Sequence, residues 1–262
     1  MDCKNEHTIV RSASRALDVL ELIVKLPKAP SFTTIQRMTG IPKSSLSYLL
    51  QELINKQYLE FDYDMKVYLS GLKFVCIAAN CINNTNFSNE LWRGVKQLSA
   101  ELDETTHAAI LEDRFAIFIA KHACAQDVSA VLNIGSKLAA HATACGKVML
   151  SSLTDDELDE LLGNVIFEQY TTYTVTSYDK LLREIKRIRK YGYAFDYQGN
   201  VLGGFCVAAP VRNREGKIIA AISSSILIDK INLSYLKKIT RHVKLSARNI
   251  SMRLGYMDNT VV

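Results

Sequence analysis

Gly40-Ile41-Pro42-Lys43-Ser44-Ser45-Leu46-Ser47-Tyr48-Leu49-Leu50 is the stretch that decides the opening fold. Gly40 suits the end of one helix, and Pro42 suits the first turn of the next. Leu46, Leu49, Leu50, Leu53 and Ile54 recur at three- and four-residue steps, which predicts a helix to about Gln57 with that stripe inward. Upstream, a short helix follows Ser31-Phe32-Thr33 with Ile35 and Met38 as its apolar positions. Before it, Ala16, Leu17, Leu20, Ile23, Val24 and Leu26 mark another helix, ended by Pro27 and Pro30. Downstream, Tyr58-Leu59-Glu60-Phe61 and Val67-Tyr68-Leu69 flank a polar pentad, Asp62 to Lys66, as in a β-hairpin. Short helix, Gly-containing turn, longer helix and hairpin together make a winged helix-turn-helix layout.

The third helix offers chemistry for nucleic acid. Its first backbone N–H groups, with Lys43, Ser44 and Ser45, suit phosphate oxygens. Ser47, Tyr48 and Gln51 lie on the polar side of the leucine stripe, where base edges or phosphates are within reach. Arg15, like Arg11, reads either as a phosphate contact or as a surface charge. Residues 11–58 hold seven basic and three acidic side chains, a local +4 that fits an electrostatic footprint. A Ser-Ser pair at a helix start is ordinarily just solvated. The preceding helix and the following hairpin turn the reading toward DNA.

Beyond the hairpin the pattern changes. A helical stretch from Leu72 to Cys81 and the polar run Asn83-Asn84-Thr85-Asn86 read as a linker. A helix from about Ser88 to Leu102 follows, then strands at Thr106–Leu111, Ala116–Ala120 and Val128–Ile134. Helices are expected at Thr143–Ser152, after the capping box Thr154-Asp155-Asp156-Glu157, and at Ser177–Tyr191. Strands at Phe205–Val211 and Ile218–Ile226 flank the turn Asn213-Arg214-Glu215-Gly216, and a last helix spans about Leu233 to Leu254. The expected fold class is α+β, with three parts: a winged helix-turn-helix over residues 8–70, a linker helix and loop over 71–87, and a second domain over 88–257 built on an antiparallel sheet.

Composition narrows the function classes. The 262 residues are 48% apolar and 23% charged, the balance of an ordinary globule rather than a disordered chain. No apolar run approaches the roughly 18 residues of a membrane span, and Met1-Asp2-Cys3-Lys4-Asn5-Glu6 has no signal-peptide character. The expectation is a cytoplasmic protein with no membrane partner. Six cysteines (Cys3, Cys76, Cys81, Cys124, Cys145, Cys206) form no C-x-x-C pair, against a zinc knuckle or redox motif, and read as reduced thiols. The net +5 is unevenly spread: residues 1–80 carry +2, 81–179 carry −8 and 180–253 carry +12. The basic block therefore lies mainly in the helices of the second domain, as solvated faces or as partners for the acidic middle segment.

The chain resembles the IclR family of bacterial transcriptional regulators over nearly its whole length. Ser14-Arg15-Ala16-Leu17-Asp18-Val19-Leu20 resembles the family's opening helix, and Thr39-Gly40-Ile41-Pro42-Lys43-Ser44-Ser45 the start of its recognition helix. More specific are His141-Ala142-Thr143-Ala144-Cys145-Gly146-Lys147, Gly192-Tyr193-Ala194-Phe195-Asp196 and Cys206-Val207-Ala208-Ala209-Pro210-Val211. The resemblance implies an effector-binding domain with a GAF-like or PAS-like sheet. It also implies homodimers or homotetramers that bind partly palindromic double-stranded operator DNA and respond to a small metabolite. Four positions depart from the family pattern. Tyr48 stands where Arg is common, Gln198-Gly199 replaces an acidic pair, and Phe205 stands where Arg often precedes the cysteine.

By the same resemblance, the main chain at Ala144 and Cys145 holds a carboxylate effector, and Asp196, Cys206, Ser223 and Ser225 match other pocket positions. From the residues alone, Thr143 suits a helix N-cap, and the small residues after it let a ligand approach backbone N–H groups. Ser223 and Ser225 are two apart on one strand and share a face. Leu132, Ile134 and Leu138 suit either an apolar pocket wall or ordinary core. Gly203-Gly204 reads as a loop or a close backbone approach, and His141 as a buried structural histidine. A Cys206 nucleophile with His141 or His107 as base has no local motif behind it, so no catalytic residue is assigned. His107, His141, Cys145 and Asp196 are metal-ligand types without ligand spacing, so no metal or cofactor is expected. The expected function is a ligand-responsive transcriptional regulator, switched by a small organic or sugar acid. The alternative is a small-molecule sensor or adaptor whose winged helix binds protein.

Overall fold

The computed structural model describes residues 10–77, 86–124 and 132–257. It divides into two units, Met1–Asn84 and Thr85–Val262. In the first, α1 (Arg11–Lys25), α2 (Phe32–Thr39) and α3 (Lys43–Asn55) precede a two-stranded wing, β1 (Leu59–Asp62) and β2 (Val67–Ser70). Ser31 caps α2 by accepting from the Thr34 N–H, and Gly40 ends it in the left-handed region at φ 66°. The first α3 bond runs from the Leu46 N–H to the Pro42 carbonyl. Pro42 therefore stands just before the helix rather than inside its first turn. The wing pairs antiparallel from Leu59↔Ser70 to Asp62↔Val67, and the Asp62 Oδ1 accepts the N–H groups of Asp64 and Met65 at its tip.

Val19, Ile23, Ile35, Ile41, Leu46, Leu50, Leu53, Leu59 and Tyr68 form this unit's core. The inward stripe of α1 is centred on Val19 and Ile23, so Leu17 and Val24 fall outside it and are 61% and 59% exposed. Met38, read as an apolar position of α2, is likewise 51% exposed. Residues 73–77 are helical; the rest of the predicted linker helix, residues 78–81, lies outside the described residues.

The second unit begins with α4 (Asn86–Leu102) and builds one sheet. Its strands are β3 (Thr105–Glu112), β4 (Phe115–His122), β5 (Lys137–Ala139), β6 (Ala194–Tyr197), β7 (Gly204–Arg212) and β8 (Ile218–Leu227), in the order β5-β4-β3-β8-β7-β6. Every neighbouring pair is antiparallel. The helices are α5 (Ala144–Leu150), α6 (Asp155–Leu162), α7 (Tyr178–Tyr191) and α8 (Leu233–Arg253).

Both faces of the sheet are covered, which explains why its strands are almost uniformly apolar or small. Val207, Ala209, Ile222 and Ile226 pack under Leu91, Val95 and Leu98 of α4 and Ile239, Val243 and Ile250 of α8. Ala109, Phe118, Ala208 and Ala221 pack on the opposite face with Val148 and Met149 of α5 and Ile188 of α7. The predicted strand Val128–Ile134 is corrected: residues 132–134 are loop and turn, and 128–131 lie outside the described residues. The edge position is taken instead by β5, paired with β4 from Phe115↔Ala139 to Ile117↔Lys137. Among the described residues no helix is long and apolar enough to cross a membrane.

Candidate functional site

Period two along β7 and β8 decides what reaches the face of the sheet turned away from α4 and α8. Phe205, Val207, Ile222 and Ile226 turn toward α4 and α8, which leaves Cys206, Ser223 and Ser225 for the other side. There they meet α5. Thr143 caps that helix by accepting from the Gly146 N–H at 3.0 Å. A Cβ on Gly146 would lie 2.3 Å from the Ala140 backbone, so glycine is what lets the helix start pack on the preceding turn.

Between these elements is a cavity of about 180 Å³. Ala144, Cys145, Asp196, Cys206, Ser223 and Ser225, the six positions read as effector-binding, all line it. They come from α5, β6, β7 and β8. His107, Phe118, Ser136, Thr143, Asn200, Val201 and Gly204 line it too and were not read as ligand positions from the sequence. Leu132 and Leu138 form part of the apolar wall, while Ile134 is absent from it and half exposed.

The loop from Gln198 to Gly203 supplies Asn200 and Val201 to that lining. Thr171 and Thr174 tie it down by donating from Oγ1 to the carbonyls of Gln198 and Gly199, each at 2.6 Å. The Gln198 Oε1 accepts the Gly203 N–H at 2.8 Å and closes the turn from within. A Cβ on Gly199 would approach the Asp196 carboxylate to 2.3 Å, so glycine is required for the loop to fold over that side chain.

Asp196 is the electrostatic centre of the site. It is buried, and its carboxylate accepts from the backbone N–H groups of Asn200 and Gly199. Its Oδ1 has no hydrogen-bond partner among the described residues. The nearest cation is Lys147, with Nζ at 3.7 Å, and that ammonium is bonded more closely to Glu184 at 2.9 Å. Burial raises the Asp196 pKa above the ordinary carboxylate value, against the pull of Lys147. Among the described residues the cavity lining contains no Lys or Arg.

The two thiols are poorly suited to nucleophilic work. Burial pushes both Cys145 and Cys206 up to about 12, and Cys206 Sγ lies 3.2 Å from Ser225 Oγ. Both are neutral thiols near pH 7. His141 is outside the cavity lining: its Nε2 meets the Glu168 carbonyl at 3.0 Å, and its ring stacks on Phe167 at 4.6 Å. Burial lowers its pKa, so it is a neutral packing residue. Among the described residues no three His, Cys, Asp or Glu side chains group as metal ligands would.

On the first unit, Lys43, Ser44, Ser45, Ser47, Tyr48 and Gln51 are all exposed along one end and side of α3, Tyr48 by 81%. Gln51 is held by donating to Asn55 Oδ1 at 3.1 Å. Arg15, from α1, borders a groove with Met38, Thr39, Gly40 and Ile41, at the turn between α2 and α3. All seven residues read as DNA-binding are thus on the surface.

Comparison with known proteins bears on both units. The IclR helix-turn-helix domain matches residues 12–62. The family described as bacterial transcriptional regulator IclR C-terminal matches residues 79–252. The HTH-type transcriptional regulator XynR of Escherichia coli K12 is 31% identical over 95% of this chain and 98% of its own length. The crystal structure of the Thermotoga maritima IclR superposes with a TM-score of 0.74 at 27% identity, covering 95% of this chain and all of that one. An IclR homologue from Microbacterium hydrocarbonoxydans, solved with 4-hydroxybenzoate, shares the fold at a TM-score of 0.80 and 20% identity, over 93% of this chain and 98% of that one.

Proposed function

Since the chain belongs to the IclR family of bacterial transcriptional regulators, we propose that it binds operator DNA as a homodimer or homotetramer and is switched by a small organic or sugar acid. Its winged helix-turn-helix is a DNA-binding domain and its second unit a ligand-binding one; it is a regulator and not an enzyme. The finer reading rests chiefly on one observation. Six small or polar positions from four elements converge on one cavity, and one of them, Asp196, has a buried Oδ1 with no hydrogen-bond partner among the described residues. An unpaired buried acceptor is costly, and a ligand hydroxyl, or a ligand carboxyl sharing a proton with Asp196, relieves that cost. Ser223, Ser225 and the backbone at Ala144 and Cys145 supply the remaining donors. A cavity of about 180 Å³ is slightly larger than the roughly 150 Å³ engineered cavity that admits benzene, which limits the effector to a small metabolite.

In a dimer, two copies of α3 would enter successive major grooves, with Lys43, Ser44 and Ser45 on phosphates and Ser47, Tyr48 and Gln51 toward base edges. The effector switches the protein by binding one arrangement of the dimer better than another. The test is a thermal-shift screen of the full chain against glyoxylate, glycolate, pyruvate, pentonates and 4-hydroxybenzoate, followed by footprinting on the gene's own upstream region. A stabilising acid should change operator protection. Cys206→Phe or Ser223→Leu should abolish that response and leave protection itself intact, whereas Lys43→Ala with Ser45→Ala should abolish protection. An effector that acts equally on the cavity variants would refute the pocket assignment. Absence of sequence-specific binding at any salt or ligand condition would refute the regulator and favour an adaptor.

A further inference from the structure

The side chains that α3 turns to solvent differ from one another in size but not in charge. Ser44, Ser47, Tyr48, Gln51 and Asn55 are all exposed. At 3.6 residues per turn they share an arc of about 100°, opposite the buried Leu46, Leu50 and Leu53. This face is neutral. Within α3 the one cation is Lys43 and the one acid is Glu52. Lys43 stands first, beside the free backbone N–H groups, where a point charge suits a phosphate. Glu52 is paired with Lys56 at 3.2 Å.

Such a face is poorly made for G·C pairs and well made for A·T pairs. In the major groove guanine is read by Arg or Lys on O6 and N7, and cytosine by an acid accepting from N4. The neutral face offers neither group. Its neighbours add little: α2 has one cation, Arg37, and the wing carries Glu60, Asp62 and Asp64 against Lys66. Adenine, by contrast, is matched by Gln51. Its Nε2 donates to the Asn55 Oδ1 at 3.1 Å, which fixes the amide plane and uses one of two N–H groups. The second N–H and the Oε1 are left for adenine N7 and N6, the bidentate pairing of glutamine with that base. Thymine is matched by Tyr48. Its ring is 81% exposed and offers apolar surface for the C5-methyl group to cover.

We propose that α3 reads A·T pairs, with the Tyr48 ring on a thymine methyl and Gln51 on an adenine of the same half-site, its amide positioned by Asn55. This rests on α3 being the DNA-contacting helix and names the bases it takes. Selection by the full chain from a random duplex pool should enrich one half-site. Repeating the selection with Tyr48→Ala and with Gln51→Ala should each erase one position of it, a thymine and an adenine. On the parent's duplex, deoxyuridine at that thymine should weaken binding roughly fourfold, the worth of one methyl group, and should cost Tyr48→Ala nothing. 7-Deazaadenine at that adenine should weaken the parent roughly tenfold and leave Gln51→Ala unaffected. Tyr48→Arg should move its position to guanine, whereas Tyr48→Phe should keep thymine. Asn55→Ala should broaden the adenine position without changing the salt dependence, and Asn55→Asp, which keeps the accepting oxygen, should not broaden it. G·C pairs at the two positions, or parental binding indifferent to both modified bases, would overturn the assignment and leave the regulator reading standing. A pool that enriches no sequence would refute the regulator and this assignment with it.

Discussion

Asp196 couples the cavity to pH. The groups around it are Lys147 and Glu184, which oppose one another electrostatically, and the neutral thiols of Cys145 and Cys206. Its folded pKa is raised above the unfolded one, so the folded state holds this proton more tightly. Stability from that difference is present at acid pH and is lost as pH rises through the folded pKa. Asp196→Asn should therefore lower the thermal midpoint less at about pH 8 than at about pH 5; equal losses at both would contradict this. A second residue makes a simpler case. The Ser224 Oγ is fully buried with no partner among the described residues, beneath the α4 and α8 layer. Ser224→Ala should raise stability by about 1 kcal/mol in thermal or urea denaturation, because an unsatisfied buried hydroxyl costs about 1–3 kcal/mol. The sequence placed Ser223 and Ser225 on a common face through their two-residue spacing. It could not show that the serine between them lacks a partner, because that depends on the covering helices.

Among the elements, α5 brings Ala144 and Cys145 to the cavity wall. Thr143→Ala removes its cap and should cost about 1 kcal/mol. Gly146→Ala should cost more than that, because the new Cβ meets backbone at Ala140 rather than a yielding side chain. Comparing the two by chemical denaturation tests whether close packing outweighs capping here. Legibility in the sequence followed length and one-sidedness. Helix α3 was readable because its leucines fall on one stripe, and the wing because polar residues separate two apolar runs. β5 was not, because three residues carry no period. The run from Val128 looked like a strand on apolar content alone, yet Leu132 turns into the cavity wall and the chain then bends at Gly135, φ 86°. That the loop from Gln198 to Gly203 adds Asn200 and Val201 to the lining was not legible, because its position depends on Thr171 and Thr174, far from it in sequence.

At the scale of the molecule each unit has buried packing of its own, around Leu46 and Leu50 in the first and around residues such as Ile222 in the second. Leu50→Ala should cost about 2–5 kcal/mol and lower only the transition of the first unit, while Ile222→Ala lowers only that of the second. Calorimetry that shows both variants shifting one common transition would mean the units unfold together. The family pattern made this two-part plan legible, and the charge distribution along the sequence placed the basic block in the second unit. The +12 block lies outside the DNA-binding unit and lines a groove of the second. The central pairing of the sheet joins β3 to β8, from Thr105↔Ser225 to Ala109↔Ala221, across more than a hundred residues of chain. A growing polypeptide can complete its winged helix early, from local contacts, and must wait for β8 before the sheet can close. During synthesis the reader of DNA exists before its sensor does. Any regulator released or cut short of β8 would carry a DNA-binding unit that no metabolite can switch.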